Sequence, residues 1–220
     1  MIDVLYEDNH LIAVNKKSGD IIQGDKTGDT PLSDYVKLYI KKKYKKVGDV
    51  FLGTIHRLDR PTSGVILFAR TSKCLTRMNE QFRNKEIKKT YWAIVNNAPP
   101  QDFGTLANNL QKNEKKNKSF VTKNLNGKSA ILDYRLLKRL DNFYHLEVTP
   151  KTGRHHQIRV QLSNIGCIIK GDLKYGAKRS NRDASIHLIA KKIEFTHPVK
   201  KELISITAGC PKDILWDACI

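Results

Sequence analysis

The chain has 220 residues, within the reach of one hydrophobic core, and its 40% hydrophobic and 28% charged residues exclude a disordered or fibrous protein. Forty Lys and Arg against 22 Asp and Glu give a net charge of +18, a field that draws polyanions, of which nucleic acid is the commonest in the cytoplasm. No stretch approaches the ~20 apolar residues of a membrane span, and the opening MIDVLYEDNHLIAVN lacks a signal-peptide pattern, so a cytoplasmic protein with no membrane partner is expected. Surface lysine that only aids solubility is the plainer reading of the same charge. The four cysteines, Cys74, Cys167, Cys210 and Cys219, form no C-x-x-C pair and are too scattered for a disulfide scaffold or a zinc site.

The first predicted element is a hairpin, Val4–Tyr6 and Leu11–Val14, turned at Glu7–His10. A helix follows, with Thr30 as N-cap and Pro31 as first residue, and Leu32, Tyr35, Val36, Tyr39 and Ile40 on one apolar face. The run Lys41–Lys46 ends it and suits either the negative helix terminus or a phosphate. Val65–Ala69 is continuously apolar, the pattern of a strand buried on both faces, so HRLDRPTSG before it is a loop leading into the core. Thr71 or Ser72 caps a second helix that turns Leu75, Met78 and Phe82 inward. Thr90–Val95 is a strand, and residues 96–118 are too polar and aperiodic to be more than a loop or small excursion. Strands resume at Ser119–Lys123, Ser129–Leu140 and Phe143–Thr149, the last two joined by an Asp141-Asn142 turn. Ile158, Leu162 and Ile165 mark a short helix closed by Gly166. Ile193–Phe195 and Leu203–Thr207 are final strands, with a short helix after Pro211. This order implies an α+β fold with a mostly antiparallel sheet.

Two segments concentrate chemistry. In His56-Arg57-Leu58-Asp59-Arg60-Pro61-Thr62-Ser63-Gly64, one carboxylate lies among two arginines and a histidine beside a core strand. Such a loop on a rigid scaffold hosts function; a surface turn in which Asp59 pairs with Arg57 or Arg60 explains it equally well. In Thr152-Gly153-Arg154-His155-His156-Gln157-Ile158-Arg159-Val160, basic residues crowd a helix start, a setting for phosphate or for ordinary polar packing. On a helix the adjacent His155 and His156 would point about 100° apart and could not chelate one metal.

Together these segments resemble the RluA-type pseudouridine synthases. HRLDRPTSGVILFAR matches H-R-L-D-x-x-T-S-G, and GRHHQIRVQLSNIGCIIKGDLKYG resembles G-R-x-H-Q-I-R-x-H-L…G-x-x-I-x-G-D-x-x-Y-G. KKTYWAIV between them, VLYEDNHLIAVNKKSG at the start and IHLIAKKIEFTHP near the end also fit, in the right order. Gln161, where a histidine is common, and Leu188-Ile189-Ala190 depart from the pattern, but neither touches the expected catalytic set.

The resemblance implies one catalytic domain over residues 1–220, with no N-terminal S4 domain. Its mixed, mostly antiparallel sheet would be flanked by helices around a central RNA-binding cleft. It casts Asp59 as the carboxylate that isomerises uridine, by adding to sugar or base or by removing the C2′ proton. It casts Arg159, with Arg154 as rival, as that carboxylate's partner, and Tyr91 as the ring beside the base, where a plain strand tyrosine would also fit. Arg57 would fill the gap left in the RNA stack by the flipped uridine. His56, Arg60, Arg154, His155 and Lys170 would contact RNA, with Lys41–Lys46, Lys112–Lys118 and Lys170–Arg182 gripping phosphates. Leu67 and Ile158 would wall the pocket or simply fill the core. No cofactor, no metal and no obligatory protein partner is implied. The expectation is a monomer acting on structured rRNA or tRNA, with an inactive RNA-binding protein on the same fold as the alternative. A carboxylate-pair hydrolase is disfavoured because no second acid lies near Asp59 in the sequence.

Overall fold

The structure, a computed structural model, describes residues 2–24, 28–124 and 126–219. In chain order its elements are β1 (Val4–Glu7), β2 (Leu11–Lys16), α1 (Leu32–Lys43), β3 (Gly53–Thr54), β4 (Ser63–Ala69), α2 (Ser72–Arg83), β5 (Lys88–Val95), β6 (Phe103–Asn113), β7 (Lys118–Thr122), β8 (Lys128–Arg139), β9 (Tyr144–Pro150), α3 (Gln157–Asn164), β10 (Leu188–Thr196), β11 (Leu203–Thr207) and α4 (Ile214–Asp217). They fall into two compact units, one of residues up to Lys88 with Ala190–Cys210, the other of Lys89–Ile189 with the segment from Pro211 onward. The α+β class read from the sequence is the one observed.

In the first unit the strand order is β1-β2-β4-β10, with β3 on β4 and β11 on β10. Every residue of β4 is buried, as its unbroken apolar run requires. Helix α1 lays Leu32, Val36 and Ile40 on Ile12, Val14, Ile66 and Phe68. Its start differs from expectation: Pro31, with ψ of 152°, is the N-cap, and no side chain caps the helix. The N–H of Leu32 donates to the Ile21 carbonyl at 2.7 Å and that of Ser33 to Ile22 at 3.4 Å. The preceding backbone thus satisfies the first orphan donors, and a Thr30 side chain is not needed. Helix α2 is capped as read, the Thr71 hydroxyl accepting from the Cys74 N–H at 3.2 Å. Its buried positions are Cys74 and Met78; Phe82 is half-buried.

In the second unit the order is β5-β9-β8-β6-β7. Its core joins Ala93, Val95, Leu132, Leu146 and Val148 of the sheet to Ile158 and Leu162 of α3. The loop expected over residues 96–118 is corrected here. Phe103–Asn113 is an 11-residue strand, paired with β7 on one side and β8 on the other. Leu110 is its one buried residue, so it lacks the apolar face that makes a strand legible. The β8–β9 turn closes with the Leu140 N–H on the Phe143 carbonyl at 2.8 Å, across Asp141 and Asn142 as expected. Gly166, at φ +81°, ends α3. Its N–H reaches the Ser163 carbonyl and the Cys167 N–H reaches that of Leu162, a Schellman closure.

Candidate active site

Asp59 begins a tight turn, closed by the Thr62 N–H on the Asp59 carbonyl at 3.0 Å, and is half-buried. The segment Lys16–Gly19 holds the back of this turn. The Lys16 ammonium donates to the carbonyls of Thr62 at 2.7 Å, Lys17 at 2.9 Å and Arg60 at 3.0 Å. Ser18 Oγ donates to the Pro61 carbonyl at 3.2 Å, and the Gly19 N–H to that of Arg60 at 2.9 Å. Lys16 is 1% exposed. Burial pushes its ammonium down to about 8, against the opposing pull of the Asp20 and Asp59 carboxylates. It therefore still carries its charge at neutral pH. Beyond the turn, Gly64 sits at φ +112°, where a Cβ would collide with the Ala190 backbone, so only glycine lets the loop enter β4 there.

The flanking basic residues divide by role. Arg60 pairs with Asp29 at 2.7 Å, with both side chains about half exposed. Arg57 is exposed. His56 is half-buried, with its Nε2 accepting the Leu67 N–H at 3.1 Å and its ring stacked on Phe82 at 5.2 Å. Leu67 itself is fully buried.

The second unit carries Tyr91, Arg154, His155, Arg159 and Lys170. Arg159 is 5% exposed and pairs bidentately with the fully buried Asp172, Nε to Oδ2 at 2.7 Å and Nη2 to Oδ1 at 2.8 Å. Its guanidinium carbon also lies 5.1 Å from the centre of the Tyr175 ring. The Tyr175 hydroxyl receives the Ser119 N–H at 2.9 Å and lies 2.9 Å from His156 Nδ1. The two histidines are not on the helix, which corrects the expected splaying. His156 is the N-cap of α3, at φ 54°, and the His155 ring stacks on it at 3.8 Å. Burial, then the neighbouring Arg159 and His155, push the His156 imidazole down to about 2, so it is neutral. His155 Nδ1 lies 2.9 Å from Ser119 Oγ.

Tyr91 is half-buried on β5 against the core cluster that includes Ile158. Arg154 is exposed and donates from Nε to the Ser129 carbonyl at 2.9 Å. Lys170 donates to Asn181 Oδ1 at 2.7 Å. Gln161, the departure from the family pattern, is wholly buried, and its amide nitrogen lies within 3.2 Å of three acceptors, the Leu106 and Ala130 carbonyls and Asn108 Oδ1. It ties α3 to β6 and β8. The sequence reading passed over Lys16, Asp172 and Tyr175. Lys16 lies among polar neighbours, Asn15 and Lys17, Asp172 follows Gly171, and Tyr175 stands between Lys174 and Gly176, so no local pattern marks any of them as buried. Among the described residues, no group of three or more His, Cys, Asp or Glu is placed to hold a metal, and no helix is long and apolar enough to cross a membrane.

Residues 10–164, which span both segments, match the model of the RNA pseudouridylate synthase family. The chain belongs to that family. A ribosomal large subunit pseudouridine synthase C from Buchnera aphidicola subsp. Baizongia pistaciae is 35% identical over 93% of this chain and 66% of its own length. The protein of the same name from Rickettsia felis is 35% identical over 80% of this chain and 56% of its own. The chain thus spans between about half and two thirds of these relatives. An uncharacterized RNA pseudouridine synthase from Chlorobaculum parvum is 31% identical over 97% of this chain and 72% of its own length. Among solved structures, human RNA pseudouridylate synthase domain containing 4 superposes with a TM-score of 0.80 at 24% identity, over 96% of this chain and 89% of that one. The family's fold is therefore this chain's fold.

Proposed function

We propose that this pseudouridine synthase family member isomerises uridine to pseudouridine in ribosomal RNA, with Asp59 as the catalytic carboxylate. The observation that carries the reading is the turn at Asp59. Lys16, Ser18 and Gly19 bind its main-chain carbonyls, so the loop is immobilised around a half-buried Asp59. The choice of ribosomal RNA rests on the names of the Buchnera and Rickettsia relatives. In this reaction the C1′–N1 bond breaks, the uracil turns, and a C1′–C5 bond forms. C5 loses its proton and N1 gains one, so no oxidant or reductant is consumed. Whether the carboxylate adds to the nucleoside or takes the C2′ proton, it must be ionised and held in one place.

Tyr91 and Arg159 serve the same reaction. Tyr91 offers a ring to the base and a hydroxyl for the C5 proton, and Arg159 offers a fixed cation in a buried setting, where charge acts strongly. Arg57, exposed and planar, fills the stack that the flipped uridine leaves. The +18 net charge supplies the grip on phosphate, through Lys41–Lys46, Lys112–Lys118 and Lys170–Arg182. The two compact units work as one catalytic domain, which acts as a monomer.

Ribosomal RNA transcripts carrying tritium at uridine C5 test this. Wild type is expected to release tritium and Asp59→Ala to release none while still binding the transcript. Tight binding of the RNA by wild type without release would instead make the chain an RNA-binding protein on this fold.

A further inference from the structure

The His56 side chain occupies an unusual place. Strand β3 pairs with β4 only through Gly53↔Ala69 and Thr54↔Phe68. One residue further along β4, the Leu67 N–H donates not to a backbone carbonyl but to His56 Nε2, at 3.1 Å. Leu67 is fully buried, so this donor has no water to fall back on. An imidazole nitrogen that accepts an N–H bond holds no proton of its own, which fixes the ring as the neutral tautomer protonated on Nδ1. The far side of the ring is set by stacking on Phe82 of α2, with centroids 5.2 Å apart. A side chain three residues before Asp59 is thus bolted at once to the core strand and to a helix.

We infer that His56 is a positioning residue for the Asp59 carboxylate rather than a contact for RNA. This rests on the proposed role of Asp59. Anchors lie on both sides of Asp59. Lys16 grips the carbonyls of Arg60 and Thr62 behind Asp59, and His56 grips the Leu67 N–H ahead of it. With the His56 anchor lost, residues 56–58 would shift and carry Asp59 with them, and a displacement of about 1 Å is enough to cost about a hundredfold in rate. The acceptor atom is the essential feature. A residue of similar size that stacks on Phe82 but cannot accept a hydrogen bond would leave the Leu67 N–H buried and unpaired.

The test uses the whole chain, C5-tritiated ribosomal RNA transcripts, and His56→Phe beside His56→Gln. Phenylalanine keeps the stacking and loses the acceptor; glutamine supplies an acceptor oxygen at similar reach. His56→Phe is expected to bind RNA within about twofold of wild type while its single-turnover rate falls about ten- to a hundredfold, and His56→Gln to recover most of that rate. Hydrogen exchange at the Leu67 amide should quicken in His56→Phe and be restored in His56→Gln, a readout independent of activity. A His56→Phe variant as fast as wild type overturns the inference, as does one whose loss lies in RNA affinity, or a glutamine variant as slow as phenylalanine with Leu67 protection restored. Should wild type itself release no tritium, the reading of Asp59 falls first and this inference with it.

Discussion

The two segments that carry the family's residues are held in opposite ways. In the first unit, Asp59 is fixed through the main chain. Lys16, Ser18 and Gly19 bond to carbonyls of residues 60–62, and the carboxylate stays half-buried. In the second, Arg159 is fixed through its own side chain, by a bidentate pair with Asp172 and the face of Tyr175, with both charges almost wholly buried. A main-chain clamp sets where a group sits. A buried ion pair also sets its charge, and that couples the site to the stability of the unit around it. Substitutions around Asp59 should therefore show first in rate, and substitutions around Arg159 first in stability.

Asp172→Asn should have the largest effect. It keeps the shape and removes a bidentate countercharge from a buried guanidinium, a change that costs about 3–5 kcal/mol. Urea unfolding would show it as a lower midpoint with unchanged slope. A midpoint close to wild type would mean that Arg159 does not rely on Asp172 for charge balance, and the contrast between the regions would collapse. Lys16→Met comes next. It fills the same volume but leaves three inward-facing carbonyls without their charged donor, at about 2–3 kcal/mol. Its distinguishing mark is turnover that falls at temperatures where the variant is still fully folded. A variant that loses activity only on melting would show that the clamp holds the fold and not the carboxylate.

Much of this was legible in the sequence because it rests on local rules. The apolar run Val65–Ala69 reads as a buried strand because every side chain in it is buried. Gly166 reads as a helix stop because a left-handed residue is needed there. Thr71 reads as a cap because its hydroxyl meets a free N–H. The Asp59 and Arg159 segments stood out as charge clusters at a strand entry and a helix start, and the resemblance of both to one family's motifs gave their residues roles. What was missed lies in partners far apart in the chain. Strand β6 has no apolar face, and only pairing with β7 and β8 makes it a strand. Lys16 reads as one more surface lysine until its carbonyl partners 44 and 46 residues away are known. The His155–His156 pair reads as helical until the left-handed turn at His156 shows that the helix starts one residue later.

His156 offers the finest test of the comparison, because it lies in the buried network and titrates there. Its ordinary pKa is 6.5, and burial, Arg159, His155, Lys174 and Lys112 drive it down to about 2 in the folded chain. As pH falls below 6.5, the unfolded chain takes up a proton at this ring and the folded chain does not, so stability must decline with falling pH. The full slope for one such group is about 1.4 kcal/mol per pH unit; partial solvent screening of the ring reduces this to on the order of 1 kcal/mol per unit. The window between pH 6.5 and about 5.5 isolates histidines, since carboxylates with lowered pKa values, such as Glu7, Asp8 and Asp213, begin to contribute once their unfolded forms start to protonate, about one unit above their ordinary values. His187, also pushed down by burial, shares the window, so wild type alone does not assign the slope. His156→Asn does. Asparagine tolerates the left-handed backbone and can still bond the Tyr175 hydroxyl, yet it cannot take a proton. Unfolding free energies measured at half-unit steps across the window should fall less steeply in this variant than in wild type. Parallel curves would mean that His156 reaches solvent in the folded chain, and the second unit's network would then be no more buried than the first unit's turn.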